Sequence, residues 1–139
     1  MGDANQAAVD AFIDGLRAGD IKAMSQTLER YAHDDLVQEW PQSGERIRGK
    51  ETVRRINESY PSATGLTPTI SLRRVSGEGD TRVVEGTIDY GDGTPVSYVG
   101  IAEFVDGKVA KMTEYFANPF EAPEWRKQFV EKMEPVGAR

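Results

Sequence analysis

The sequence predicts an α+β domain in which helices come first and an antiparallel sheet follows. Three observations carry that prediction. Apolar residues recur at helical spacing over the first third of the chain, the period changes to two from residue 66 onward, and turns of Gly and Asp punctuate the second part. With 139 residues, 38% of them apolar, and no Cys, the chain fits a single domain over residues 1–139 with one core and no disulfide framework.

From 4 to 18, Ala8, Val9, Phe12, Ile13 and Leu16 repeat at helical spacing, and Gly19 stands just past them as a stop. Asp20 caps a second helix reaching about residue 32, with Ile21, Met24, Leu28 and Tyr31 on its buried side. Residues 34–40 hold Leu36 and Val37 among polar neighbours and precede Pro41, which predicts a strand at a sheet edge, followed by a loop over 41–46. After Gly49, Val53, Ile56 and Tyr60 form a short third helix that Pro61 stops. Strand-like runs at 66–75, 82–90, 96–105 and 108–117 then make a four-strand meander, and a last helix over 121–133 closes the chain. Trp125 and Phe129, four apart on that helix, read as core or dimer anchors.

The turns turn this pattern into a surface. If Asp106-Gly107 is a two-residue turn, then Glu103 faces Ala110, Ile101 faces Met112, Val99 faces Glu114 and Ser97 faces Phe116 on one side of the sheet. A two-residue turn at Asp92-Gly93 adds Ile88, Gly86 and Val84 to that side. The resulting face is apolar except for Glu114 in its interior and Glu103 near the hairpin end. A carboxylate among Val99, Met112, Phe116 and Ile88 is desolvated, which disfavours its charge and suits it to exchange protons near neutrality. Glu114 is therefore a general acid or base candidate; the same residues also allow a one-residue bulge that turns it outward, or an Arg partner. The opposite face, with Glu85, Thr87, Asp89, Tyr98, Thr113 and Tyr115, suits a wet surface or a subunit contact.

Composition narrows the partners. A net charge of −6 argues against nucleic acid and against anionic membrane, and leaves neutral or apolar ligands open. Without Cys, and with His33 the sole His, there is no thiolate nucleophile and no His pair for a metal, so chemistry falls to carboxylates, Tyr, Lys or water. His33 itself reads as a solvated or capping residue. The stretch Gly44 to Lys50 has phosphate-loop spacing, but Glu51 stands where Ser or Thr must hold magnesium. No secretory leader or long apolar run is visible, so the expected location is cytoplasmic.

Three segments resemble a known superfamily. Leu16-Arg17-Ala18-Gly19-Asp20 with Tyr31-Ala32-His33-Asp34-Asp35, the loop Gly44 to Gly49, and Asp106-Gly107-Lys108-Val109 with Glu114-Tyr115-Phe116 are similar, in that order, to the opening, the loop and the closing hairpin of the nuclear transport factor 2-like (NTF2-like) superfamily, in its SnoaL-like and ketosteroid isomerase-like branch. The resemblance implies a cone-shaped, cystatin-like α+β fold: a curved, mostly antiparallel sheet wrapped around the N-terminal helices, a C-terminal helix, and a pocket between the concave sheet face and the helices.

Residue by residue, Glu114 is similar to the carboxylate of the Asp-Tyr-Phe motif that activates water in limonene-epoxide-hydrolase-like enzymes. Val37-Gln38-Glu39-Trp40-Pro41 resembles their Tyr-x-Asn-x-Pro strand with Val37 and Glu39 in place of the water-orienting pair, and their Arg-x-Asp pair falls on Gly86 and Ile88. Against the ketosteroid isomerases, Glu39 falls on the catalytic base, while the two oxyanion donors fall on Phe12 and Ile101. The resemblance thus implies Glu39 and Glu114 as catalytic proton carriers. The expected ligand contacts are Phe12, Trp40, Gln42, Tyr60, Ile88 and Tyr90, with Val99, Ile101, Met112 and Phe116 from the sheet and Phe120 at the pocket mouth.

Two functions of the pocket follow as expectations. One is a SnoaL-like isomerase, cyclase or dehydratase that needs no metal or organic cofactor and acts on a small apolar carbonyl compound. The other is a non-catalytic protein that holds a hydrophobic ligand in the same pocket, which the loss of both known catalytic sets favours. A third, an interaction module, would work through the Tyr98 and Tyr115 face. The expected partners are a small apolar ligand and a second copy of the chain, paired through the outer sheet face.

Overall fold

The computed structural model describes residues 4–18 and 21–134. Gly19 and Asp20, read above as stop and cap, and the side chain of Ile21 lie outside the described residues. Helix α1 spans Ala4–Ala18 and α2 spans Ile21–Tyr31. They pack as a hairpin that buries Ala8, Val9 and Leu28.

The chain then enters β1, Ala32–Trp40, and turns through residues 41–44 into β2, Glu45–Arg48. Gly44, at φ 74°, donates to the Trp40 carbonyl at 2.9 Å and closes this turn. The loop expected at 41–46 is therefore a hairpin turn. It hands the sheet edge to β2 and places β1 one strand inside, not at the edge; Pro41 follows the last paired residue and costs the ladder nothing.

Helix α3 runs over Lys50–Thr64, one turn beyond the stop expected at Pro61. Pro61 forfeits one backbone donor near the helix end, and the helix stops only at Gly65, whose left-handed backbone (φ 73°) sends its N–H to the Pro61 carbonyl at 2.8 Å.

Strands β3 (Thr69–Ser76), β4 (Thr81–Asp89), β5 (Pro95–Val105) and β6 (Lys108–Ala117) form the meander. The six-stranded order is β2-β1-β6-β5-β4-β3, antiparallel throughout except for the parallel β1–β6 pair. The sheet is curved and does not close. Helices α1, α2 and α3 lie over its concave side. A core of Ala8, Val9, Leu36, Val53, Phe104 and Val109, among others, joins the two layers.

The register differs from the expected one in β5. Asp106 and Gly107 do make a two-residue turn, with both φ values positive (52° and 79°), and Val105 pairs with Lys108. One step on, Phe104 pairs with Val109 but Glu103 pairs with Lys111, so Ala110 is the extra residue of a β-bulge. Beyond it Ala102 faces Met112, Gly100 faces Glu114 and Tyr98 faces Phe116.

The other hairpin shifts in concert. Asp89 pairs with Pro95, which leaves a five-residue loop where the two-residue turn was expected. Asp89 accepts from the Gly91 N–H and Asp92 from the Thr94 N–H, side-chain turns that fix the longer loop. Strand β5 thus presents Val96, Tyr98, Ala102 and Phe104 inward, and Val99 and Ile101 outward, the reverse of the expectation.

The closing element is a six-residue 3-10 helix, η1, Glu124–Phe129, in place of the helix expected over 121–133. It buries no residue. A short helix whose apolar side meets no core lacks the packing that sustains an α-helix in water. No described helix is long and apolar enough to cross a membrane.

Candidate active site

The concave sheet face and the three helices enclose a cavity of about 500 Å³. Its helical wall carries Val9, Phe12, Ile13, Leu16, Met24 and Leu28, together with Val53, Ile56 and Tyr60 of α3. The sheet supplies the rest by parity. Strand β1 sends Leu36, Gln38 and Trp40 inward; β6 sends Met112, Glu114 and Phe116; β4 sends Arg82, Val84 and Ile88. The lining is mainly apolar, with a few convergent polar groups, the usual make-up of a small-molecule site.

Glu114 lies at the polar focus of this cavity. Its Oε1 accepts from Trp40 Nε1 at 2.9 Å and from Gln38 Nε2, and its Oε2 accepts from the Tyr98 hydroxyl. Three neutral donors fix the orientation of one carboxylate without a counter-charge. The Phe116 ring is held on both flanks: Trp40 meets it edge-on at 6.3 Å between centroids, and Tyr98 lies at 5.4 Å.

Tyr98 is 6% exposed, and burial together with the Glu114 charge raises its phenol pKa well above the usual tyrosine value. At neutral pH it is a hydrogen-bond donor. Its reach depends on Gly100, the cross-strand partner of Glu114: a Cβ there would lie 2.5 Å from the Tyr98 hydroxyl and 3.0 Å from Met112 Cε. The bare backbone at residue 100 lets the phenol lie flat along β5 and meet the carboxylate one row away.

A second polar group of the cavity is a tyrosine pair, Tyr60 of α3 and Tyr90 at the end of β4, with ring centroids 5.9 Å apart. Burial is the main cause that raises the Tyr90 pKa, with Tyr60 and Glu114 adding to it. Gln42 and Asn57 line the same cavity. Arg82 is buried and lines it too, donating to the Gly79 carbonyl at 3.1 Å and to Gln6 Oε1 at 2.9 Å.

Of the residues singled out from the sequence, the structure brings Glu114, Phe12, Trp40, Gln42, Tyr60 and Ile88 together in the cavity with Tyr90, Met112 and Phe116. It does not bring the others there. Val99 and Ile101 lie on the outer sheet face because of the β5 register, and Phe120 stands 80% exposed beyond β6.

Glu39 also points outward. It accepts from Arg46 Nε at 2.7 Å and pairs with Lys111 Nζ at 3.0 Å. The hydrogen bonds from Arg46 and Lys111 hold its carboxyl below the usual range, the wrong direction for a base poised near neutrality. His33 lies outside the cavity and contacts the Val105 carbonyl through Nε2 at 2.6 Å.

Sequence reasoning missed Gln38 and Tyr98, the other two partners of Glu114. For Gln38 the signal was present: adjacent residues of a strand face opposite sides, so Trp40 facing inward requires Gln38 inward and Glu39 outward. For Tyr98 it was absent, because both parities of β5 are apolar. Tyr98 and Tyr115 consequently lie on opposite faces and form no common interaction surface.

A helical layer over a curved, open sheet with a mainly apolar cavity between them defines the NTF2-like class of α+β pocket domains. Within that class the chain belongs to the SnoaL-like domain family, whose family model matches residues 9–112. Among solved structures, an NTF2-like protein of unknown function from Burkholderia xenovorans LB400 is 36% identical, with 94% of this chain and 96% of that one covered and a TM-score of 0.73. A protein assigned provisionally to the ketosteroid isomerases, from Kribbella flavida, is 24% identical over 95% of this chain and 91% of that one, with a TM-score of 0.79. An LEH-like epoxide hydrolase from M. tuberculosis is 24% identical over 81% and 82%, with a TM-score of 0.62. At that identity the last two show the fold alone. No curated protein matches the chain.

Proposed function

We propose that this chain is a cofactor-independent acid–base enzyme, an isomerase, cyclase or dehydratase, acting on a small apolar carbonyl compound with Glu114 as its proton carrier. The observation that carries the proposal is a single carboxylate, positioned by Gln38, Trp40 and Tyr98, in a cavity of about 500 Å³ that is otherwise mainly apolar. Glu114 takes the proton from a carbon next to the carbonyl and the electron pair passes to the carbonyl oxygen; the pair then returns through carbon, and the proton goes to another carbon (isomerase), to the oxygen of a second carbonyl that the enolate carbon attacks (cyclase), or to a hydroxyl that the pair expels from the neighbouring carbon as water (dehydratase). The Tyr60 and Tyr90 hydroxyls and the Asn57 and Gln42 amides are the groups of this cavity that can donate to the enolate oxygen. Glu39 has no part in this reading, since its carboxylate is committed to two cations on the other side of the sheet.

A second reading is favoured by a specific feature: the positions of both oxyanion donors in the ketosteroid isomerase pattern hold Phe12 and Ile101, and only Phe12 faces the cavity. In that reading the protein retains an apolar ligand and the carboxylate fixes its polar end. One experiment separates the two. Exchange of the α-hydrogens of α-tetralone in D2O, followed by NMR, is expected to be accelerated by the protein and to fall at least about a hundredfold in E114Q, the scale of general acid–base catalysis. Exchange at the buffer rate, with a ligand retained through purification in native mass spectra, would replace the enzyme by the carrier.

A further inference from the structure

Among the described residues that line the cavity, two are charged, Glu114 and Arg82. Register keeps them apart. Arg82 of β4 shares a row with Ala102 and Met112, whereas Glu114 of β6 stands two strands away in the row of Val84 and Gly100. The Arg82 guanidinium serves the far end of the cavity, where it donates to the Gly79 carbonyl and to Gln6 Oε1, beside the bond from Asn5 to Asp80.

Glu114 has no cationic partner among the described residues. Its three neutral donors take three of the roughly four lone-pair sites of a carboxylate, two on Oε1 and one on Oε2. Oε2 keeps room for one more donor. Aromatic rings wall the same end of the cavity. Trp40 and Tyr98 both bond to Glu114 and both flank Phe116, and the Glu114 charge, after burial and Tyr60, adds to the rise of the Tyr90 pKa. Ring faces carry negative potential and attract cations as the carboxylate does.

This end of the cavity therefore selects by charge. A neutral group gains one hydrogen bond, an anion is repelled, and a cation gains the carboxylate and the ring faces together, at an effective dielectric lower than that of water. The rest of the lining requires that the cation bring hydrocarbon with it. A metal ion does not fit this donor set: no group of three His, Asp or Glu side chains among the described residues could hold one.

We propose that the cavity recognises a lipophilic amine in its protonated form, with the ammonium at Glu114 Oε2 among the rings of Trp40, Tyr90 and Phe116, and the hydrocarbon against Phe12, Ile13 and Leu28 of the helical wall. The inference rests on Glu114 as the polar focus of the cavity, as the reading above does, but it needs no proton transfer. The net charge of −6 adds a field that draws cations toward the chain. In an enzyme such an amine occupies the place of the substrate and blocks the carboxylate; in a carrier it is the class of ligand carried.

Calorimetric titration with three probes built on one ring system tests the proposal. Aminotetralin, tetralol and tetralin carboxylate are, at neutral pH, a cation, a neutral molecule and an anion of similar shape. The amine is expected to bind about tenfold or more tighter than the alcohol, and the carboxylate about tenfold or more weaker than the alcohol. In E114Q the advantage of the amine should shrink to within about twofold while the affinity for the alcohol stays, and E114D, which keeps the charge, should keep most of that advantage. In W125F, where Trp40 is the sole Trp, the indole N–H proton resonance should move as the amine is added. Equal affinity of the parent chain for amine and alcohol would overturn the proposal whether or not E114Q folds, and so would an advantage that survives in E114Q. The α-tetralone exchange is read separately. A chain that leaves exchange at the buffer rate yet prefers the amine loses the enzyme and keeps this inference, whereas one that accelerates exchange and binds amine and alcohol alike keeps the enzyme and loses the inference.

Discussion

Glu114 and Glu39 lie on neighbouring, paired strands, Glu39 in register with Thr113, yet their surroundings are opposite. On the concave side, Glu114 meets three neutral donors and apolar rings. On the convex side, Glu39 meets two cations near solvent. A cation pair lowers a carboxyl pKa and ties the group to structure; neutral donors orient the carboxylate and leave its charge uncompensated. The difference comes from strand parity alone, which is why similarity of sequence position to a catalytic base did not make Glu39 one.

The concave side is most sensitive at Gly100. Because a Cβ would strike the Tyr98 hydroxyl at 2.5 Å, G100A should cost about 3 kcal/mol in chemical denaturation, through overpacking and the lost bond to Glu114. In the Y98F background the same change should cost about 1 kcal/mol, since the nearest atom is gone. Additive costs would mean that Gly100 acts on something other than Tyr98.

Y98F alone should cost about 2 kcal/mol, the scale of a hydrogen bond to a charged group. The pH dependence sharpens the point. The Tyr98 pKa is raised in the folded chain, so its contribution is complete below the unfolded value of 10.0 and lost as pH rises above it. Urea midpoints measured across that range should therefore fall less steeply in Y98F than in the parent.

The smallest effect belongs to the outer carboxylate. Glu39 is lowered by Arg46 and Lys111, so its contribution is present above the ordinary value of 4.5 and lost as pH falls through the lower folded value. E39Q should flatten the acid side of the stability curve slightly and leave the neutral plateau nearly unchanged, as expected for exposed ion pairs. A neutral-pH loss as large as that of Y98F would mean that Glu39 holds more than its two cations.

Much of this fold was legible in the sequence. Helical spacing located α1, α2 and α3, period-two runs located the meander, and Asp106-Gly107 marked its closing turn. What escaped has identifiable causes. The Ala110 bulge and the five-residue loop at 90–94 each move β5 by one residue, and since Val99 and Ile101 are as apolar as Val96 and Phe104, hydrophobicity could not tell its faces apart. The C-terminal stretch has helical spacing but no core surface left to cover, and spacing alone does not say whether a partner exists. Glu114 was found because β6 has one polar exception on its inner side. Tyr98 was hidden by the register error, and Gln38 by reading Glu39 and Trp40 as sharing a face.

The most direct measurement is the rate of α-tetralone hydrogen exchange in E114Q and E39Q side by side with the parent protein. With Glu114 as the proton carrier, the rate should fall about a hundredfold or more in E114Q and stay within about twofold of the parent in E39Q. Loss of exchange in E39Q with E114Q unaffected would contradict it, and would place the chemistry on the opposite side of the sheet.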